Sequence, residues 1–188
     1  MRIAISGAQS TGKTTLAADL AAAIPNTRLE PEPFRVLRES LGLISGPETM
    51  TPEQELALIR HSHERLRDAH EGETVVYDRC ALDALAHAIV GSERGNPAFT
   101  PEWISQLQQE TVEALKPLTL LVVVPLTDEL QLEDDGVRSL DAEYRAEVDA
   151  VIRKLGALHA GTIEVTGTRE QRVGRILAAL DSETDLKR

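Results

Sequence analysis

Residues 7–14 carry the groups that can hold the phosphates of a nucleotide. They match the pattern G-x-x-x-x-G-K-[ST] at every position. The run reads Gly7-Ala8-Gln9-Ser10-Thr11-Gly12-Lys13-Thr14. Its two glycines let the backbone curl so that successive N–H groups point at phosphate oxygens. Lys13 is expected to be exposed and to reach the β- and γ-phosphates, and the Thr14 hydroxyl is expected to bind Mg²⁺. The pattern predicts a loop that binds ATP and Mg²⁺ and extends through Thr15.

The segments that flank this loop are predicted to form the strand and the helix that a phosphate-binding loop connects. An apolar strand is predicted over Arg2–Ser6 and an alanine-rich helix over Thr14–Ile24. The helix adds the positive end of its dipole to the phosphate position. A chance glycine-rich turn would not require a strand before it and a helix after it, so we interpret the loop as functional.

A second set of charged residues follows the third predicted strand, Thr74–Asp78. Ligands of open parallel sheets lie at the carboxyl ends of the strands, where Asp78 and Arg79 are expected. A carboxylate there can bind Mg²⁺ or accept the proton of an acceptor hydroxyl, and an arginine can neutralise phosphate charge. The alternative is that Asp78 only caps the helix from Cys80 while Arg79 is solvated.

Short strands and helical segments alternate along the chain, which predicts an α/β fold in three layers around a parallel sheet. The predicted strands are Arg2–Ser6, Thr27–Glu30, Thr74–Asp78, Thr119–Pro125 and Thr162–Thr166. The predicted helices are Thr14–Ile24, Pro52–His70, Cys80–Val90, Pro101–Leu115, Leu140–Leu158 and Glu170–Leu180. A length of 188 residues fits one domain over residues 1–188.

Composition narrows the class of ligand and the compartment. The net charge of −11 argues against a nucleic-acid or anionic-membrane surface, because both need basic stripes. No apolar run approaches the roughly 20 residues that cross a bilayer. The N-terminus lacks the cleavage region of a signal peptide, and the single cysteine, Cys80, has no internal partner for a disulfide. These features predict a cytoplasmic protein with a small anionic ligand.

The order of the motifs resembles a known family. The chain has the phosphate-binding loop, then Glu32-Pro33-Phe34-Arg35 after the second strand, then Asp78-Arg79 and, four residues on, Asp83-Ala84. This order is similar to that of the P-loop kinase-like ATPases that include the ribosylnicotinamide kinase domain of bifunctional NAD-biosynthesis regulators. The wider relatives are nucleoside and nucleotide kinases.

The resemblance implies a five-stranded parallel sheet and Mg·ATP-dependent phosphorylation of a small hydroxyl- or phosphate-bearing acceptor. It implies an arginine-bearing lid at about residues 127–145, with Arg138 and Arg145 over the transferring phosphate. Gly167 and Thr168 lie where such kinases hold the adenine.

Several residue roles stay open at this stage. Glu32 and Arg35 can bind the acceptor, with Glu30 as a further candidate, or Glu32 can be an acid in a first helical turn. Asp83 can reach the acceptor or be an ordinary acid near a helix start. Either Glu32 or Asp78 can be the general base.

The leading hypothesis is a small-molecule kinase with a nucleoside-type acceptor such as ribosylnicotinamide. A nucleoside monophosphate kinase is the alternative within the same class, with Arg35 and Arg60 available for the acceptor phosphate. A P-loop ATPase or switch protein is the alternative from another class. The sequence leaves the oligomeric state open.

Overall fold

The computed structural model describes residues 1–40, 42, 49–127 and 141–186, with side chains described up to residue 182. Within these ranges the strands are β1 (Arg2–Ser6), β2 (Thr27–Glu30), β3 (Thr74–Asp78), β4 (Leu120–Val123) and β5 (Thr162–Glu164). The helices are α1 (Lys13–Ala23), α2 (Pro33–Leu37), α3 (Pro52–Arg67), α4 (Ala81–Glu93), α5 (Pro101–Leu115), α6 (Ala142–Gly156) and α7 (Arg169–Leu186).

The five strands form one parallel sheet in the order β2-β3-β1-β4-β5. The first strand is central: Ile5 pairs with Asp78 of β3 on one side and with Val122 of β4 on the other. The carboxyl end of β1, where the glycine-rich loop begins, therefore lies in the middle of the sheet edge. The predicted five-stranded parallel sheet is confirmed.

Helices cover both faces of the sheet, and the alternation of side chains along each strand decides which helix packs where. One face packs Ile3, Ile5, Val76 and Val122 against α1 and α7. The opposite face packs Ala4, Val75, Tyr77, Leu121 and Val123 against α4 and α6. Helices α3 and α5 add a further layer on the outer side of α4, where Ile59, Leu85 and Leu107 are buried together.

Most predicted helices and strands are present, with shifts at their ends. The fourth strand ends at Val123 because its last paired neighbour in β1 is Ser6, after which the loop turns away. The helix α2 was not predicted, since five residues are too few to show a helical period. Among the described helices, none combines the length and apolar character needed to cross a membrane.

Candidate functional site

The loop after β1 has the backbone shape that the glycine pattern predicts. A Cβ on Gly7 would lie 2.4 Å from the carbonyl oxygen of Val124, so only glycine fits there. Gly12 has a φ of 83° and is the N-cap residue of α1. The N–H groups of the first turn of α1 therefore point into the loop, which is the arrangement that binds phosphate. Ser10 also has a positive φ, of 59°.

Lys13 is buried, which corrects the prediction that it is exposed. Only 4% of the residue is accessible, because the side chain folds back under its own loop. Its Nζ donates to the carbonyl oxygen of Ala8 and, at 3.2 Å, to the hydroxyl of Thr11. Burial, followed by the charge of Arg79, lowers the pKa of Lys13 to about 7. The Nζ atom is thus held against the backbone of the loop that is predicted to bind phosphate.

Asp78 and Thr14 are brought together beside the loop. Asp78 ends β3 and is 4% exposed, whereas Thr14 and Thr15 are exposed at the start of α1. Burial raises the pKa of Asp78, and a hydrogen bond from the Thr14 hydroxyl opposes that rise. The Oδ1 atom of Asp78 is buried and has no hydrogen-bond partner among the described residues. A hydroxyl beside a carboxylate oxygen with unused lone pairs fits Mg²⁺, a cation that prefers oxygen ligands.

The capping interpretation of Asp78 does not hold, because Asp83 has that role. The Oδ2 atom of Asp83 accepts from the backbone N–H of Cys80, the N-cap of α4, at 3.1 Å. The same carboxylate accepts from the Ser6 hydroxyl at 2.8 Å and from the Gly7 N–H at 3.3 Å. Asp83 therefore ties the start of α4 to the start of the phosphate-binding loop.

Arg79 is a partly buried member of a charge network and is not simply solvated. Its Nε lies 2.5 Å from Oε1 of Glu32, and its Nη1 lies 2.9 Å from Oδ1 of Asp83. Burial alone would lower the pKa of Arg79, but Glu32, Asp83 and Asp78 raise it above its ordinary value. The φ of Arg79 is 69°, a left-handed conformation that costs a non-glycine residue roughly 1–2 kcal/mol. Such strain is concentrated at functional sites.

Glu32 remains ionised because cations face it. Burial raises its pKa, but the charge of Arg79 and a hydrogen bond from Arg35 outweigh that effect and lower the pKa to about 2. Arg35 donates from Nε to Glu32 at 3.0 Å and is largely exposed. The backbone of Glu32 forms the N-cap of α2, but its side chain makes no capping hydrogen bond. The carboxylate is therefore directed toward Arg79 and not used by the helix.

A pocket lies next to the loop, between α2, α3 and α4. Apolar side chains form much of its wall, including Phe34, Met50 and Leu58. Its acidic and amide lining residues are Gln9, Glu32, Glu55 and Asp83. Two of the arginines that line it are Arg35 and Arg38. The pocket is thus continuous with the phosphate-binding loop through Gln9 and with the charge network through Glu32.

Two residues considered for the acceptor side are used elsewhere. Arg60 pairs with Glu110 at 2.7 Å on the exposed side of α3. Glu30 pairs with Arg28 and lies 3.8 Å from Arg65. Neither Arg60 nor Glu30 lines the pocket.

Arg145 and Arg172 contact the phosphate-binding loop from two different helices. Arg145, on α6, donates from Nη2 to the carbonyl oxygen of Gln9 at 3.0 Å. Arg172, on α7, donates from Nη1 to the carbonyl oxygen of Thr11 at 2.9 Å. Sequence reasoning missed Arg172, although its place in the first turn of the helix after Gly167-Thr168 was a usable indication. Arg138 and most of the predicted lid at 127–145 lie outside the described residues.

The loop after β5 is linked to the phosphate-binding loop. Gly167 has a φ of 96°, and its carbonyl oxygen accepts from Nε of Arg172 at 2.9 Å. The N–H of Thr168 donates to the side chain of Gln171 at 2.9 Å. Arg172 thus links Gly167, one of the predicted adenine-binding residues, to Thr11 of the phosphate-binding loop.

These features define a P-loop α/β protein, with the phosphate-binding loop at the end of the central strand of a parallel sheet. A family model described as an AAA domain matches residues 2–172. The chain belongs to this AAA domain family. Among curated proteins, none matches it.

Solved structures with the same fold include kinases. The chain is similar to a NadR protein solved in complex with NR, at a TM-score of 0.70 and 20% identity, over 96% of this chain and 50% of that one. It is similar to thymidylate kinase from Candida albicans, at a TM-score of 0.69 and 16% identity, over 97% and 92%. It is also similar to deoxyadenosine kinase from M. mycoides with bound dATP, at a TM-score of 0.70 and 14% identity, over 96% and 99%.

The chain therefore spans about half the length of NadR and nearly all of the two kinases. At these identities the likeness shows the fold. The resemblance to nucleoside and nucleotide kinases that the motifs indicate is therefore confirmed for the fold.

Proposed function

We propose that this protein transfers the γ-phosphate of ATP to a hydroxyl group of a nucleoside-type acceptor. The observation that carries the proposal is the position of Glu32. Its carboxylate lines a pocket that opens onto the P-loop and is held ionised, with a pKa lowered to about 2, chiefly because Arg79 outweighs the effect of burial. A bare ATPase has no need of a second pocket that presents an ionised carboxylate beside the phosphate position.

The donor side has the groups that phosphoryl transfer requires. The N–H groups of residues 7–13 and the ammonium of Lys13 would hold the β- and γ-phosphates, since the transition state spreads negative charge over the γ-phosphoryl oxygens. Arg145 lies against the same loop and would add positive charge there. Thr14 and Asp78 would hold Mg²⁺, which neutralises phosphate charge when bound.

On the acceptor side, Glu32 would orient the acceptor hydroxyl. As the acceptor oxygen bonds to the γ-phosphorus, the bond to the bridging oxygen of ADP breaks, and the hydroxyl proton passes to a carboxylate. We assign that role to Glu32, because Glu32 lines the acceptor pocket while Asp78 faces Thr14. Ribosylnicotinamide is a candidate acceptor, in line with the family resemblance of the motifs.

Nucleoside monophosphates are the second candidate acceptors, because Arg35 and Arg38 line the pocket and can face an acceptor phosphate. Arg60, which would have strengthened this alternative, is paired with Glu110 outside the pocket.

The test is ADP release with and without acceptor, using nucleosides, ribosylnicotinamide and nucleoside monophosphates. Hydrolysis without acceptor should be slow, and the true acceptor should accelerate ADP release with matching phosphorylated product. Arg138→Ala should lower this accelerated rate strongly and change ATP affinity little, if Arg138 belongs to a lid that closes on both substrates. Fast hydrolysis that is independent of acceptor and unchanged in Arg138→Ala would contradict the kinase proposal and favour a switch.

A further inference from the structure

Glu55 is a buried acid with no internal partner in the described structure. It lies in the first turn of α3, is 1% exposed, and lines the pocket beside the P-loop. Both of its carboxylate oxygens are buried and lack hydrogen-bond partners among the described residues. Burial raises its pKa well above the ordinary value, and no neighbouring charge opposes that effect.

Gln9 also lines the pocket, and its side chain is likewise buried and without a partner among the described residues. It is 2% exposed, and both its amide nitrogen and its amide oxygen lack partners in the described part of the chain. Buried polar groups in proteins are nearly always hydrogen-bonded, so two such side chains in one pocket require a reason.

Other polar side chains of the pocket lining do have partners. Glu32 and Asp83 pair with Arg79, the Ser62 hydroxyl donates to the carbonyl oxygen of Leu58, and His87 is hydrogen-bonded to Tyr144. Among the described residues that line the pocket, only Glu55 and Gln9 have buried side-chain atoms without a hydrogen-bond partner. Since the described residues supply no partner for either side chain, a ligand in the pocket would supply one.

A role in helix capping does not account for Glu55. An acid in the first turn of a helix is favoured by the dipole, but an exposed one serves as well. Glu53 already supplies that exposed acid, and Thr51 with Gln54 forms the capping box of α3. Burial of Glu55 as a second acid lowers the free energy of unfolding of the protein and adds nothing to the capping of α3.

We propose that Glu55, together with Gln9, recognises an N–H-bearing edge on the planar head group of the acceptor. This proposal rests on the proposed function of the pocket. A carboxyl oxygen accepts an N–H hydrogen bond whether or not the group is protonated, and the amide of Gln9 can pair with an adjacent donor or acceptor. Phe34, Met50 and Leu58 supply apolar walls for a flat ring. Head groups with an amino or carboxamide group are therefore selected over those without one.

The test compares nucleosides that differ only at the amino group: adenosine with purine riboside, and cytidine with pyrimidin-2-one riboside. Binding is measured by calorimetry and phosphorylation as kcat/KM. In the wild type, the amino-bearing member of the preferred pair should bind at least about tenfold more tightly than its partner. The member without the amino group leaves the buried carboxyl of Glu55 unpaired. The preference should fall in Glu55→Gln, whose amide oxygen still accepts, and should vanish in Glu55→Leu.

Glu53→Gln is the matched control, because it removes an acid from the same helix turn at an exposed position outside the pocket. It should keep the full preference. A purely structural Glu55 would change overall affinity or thermal stability equally for both members of a pair. An amino preference that is equal in wild type and Glu55→Leu, or no preference in the wild type, overturns the proposal.

The outcomes also separate this proposal from the proposed function. Phosphorylated nucleoside with a preference insensitive to Glu55 overturns the recognition role and supports the kinase. A Glu55-dependent binding preference with no phosphorylated product supports the recognition role and contradicts phosphoryl transfer.

Discussion

Arg172 donates to the carbonyl oxygen of Thr11 at 2.9 Å and joins the last helix to the P-loop. Its Nε donates at the same time to the carbonyl oxygen of Gly167 at 2.9 Å. One planar guanidinium group therefore fixes the spacing between the loop that would hold the triphosphate and the loop that would hold the base. Arginine is suited to this because its donors form a rigid fork.

We expect Arg172→Ala to weaken ATP binding by about tenfold, because it removes hydrogen bonds from a charged donor that positions both loops. Arg175→Ala is the control, since Arg175 is exposed in the next turn of α7. Calorimetric titration with ATP measures both. Equal affinities in the two variants would show that the link to Thr11 does not shape the nucleotide site.

Lys13→Met tests the P-loop itself. We expect turnover to fall by about 10²-fold or more, because the variant loses a cation at the transferring phosphate. The thermal midpoint should not fall, because methionine fills the buried space of the stem and removes a charge that burial disfavours. Initial rates and thermal unfolding measure the two effects. Near-normal turnover would remove Lys13 from the mechanism.

Nucleotide binding should take up protons at about pH 8. Burial lowers the pKa of Lys13 to about 7 in the free protein, so most Lys13 side chains are neutral at about pH 8. Bound phosphates favour the charged ammonium and raise that pKa, so binding draws a proton from the buffer. Titration calorimetry in buffers of different ionisation enthalpy measures this uptake. The uptake should be absent in Lys13→Met, and a binding enthalpy independent of buffer in the wild type would contradict the prediction.

Asp78→Asn should leave ATP affinity within a few-fold and lower turnover far more, if Asp78 serves Mg²⁺ or the reacting hydroxyl. Stability should be maintained, because burial raises the pKa of Asp78 and thus disfavours its charged form. Steady-state rates at several Mg²⁺ concentrations, with thermal unfolding as the check on folding, measure the outcome. A variant that loses stability and keeps its turnover would assign Asp78 a structural role only.

Local patterns in the sequence were sufficient for the fold and for the P-loop. The strand β3 reads as a continuous apolar run, and the loop after β1 has glycines where a close approach to Val124 and a positive φ require them. The apolar run and the spacing of the glycines are local features, so a sequence pattern records them directly, although the contact between Gly7 and Val124 is itself long-range. Because each strand is followed by a helix, the same patterns predict that the strands are parallel, but they did not predict the order β2-β3-β1-β4-β5.

The chemical environments within the site could not be predicted in the same way. Lys13 is buried by residues of its own loop, Asp83 is shared between α4 and the P-loop, and Glu55 lacks a partner among the described residues. The first of these facts depends on how the side chains of the loop fold, and the other two depend on distances between residues far apart in sequence. A helical period can place Glu55 on a buried face, but it cannot show which groups are missing around it.

The position of the pocket residues along the chain has a consequence for how a protein of this fold could change its proposed acceptor. Apart from Gln9, the residues that line the proposed acceptor pocket all lie between positions 32 and 87, whereas the two arginines that donate to carbonyl oxygens of Gln9 and Thr11 come from α6 and α7. One continuous segment, from the N-cap of α2 through α3 and β3 into α4, thus carries nearly all of the pocket lining. Exchange of that segment between homologues would transfer the proposed acceptor pocket as a heritable unit, together with Asp78 and Asp83, while Arg145 on α6 and Arg172 on α7 would stay unchanged.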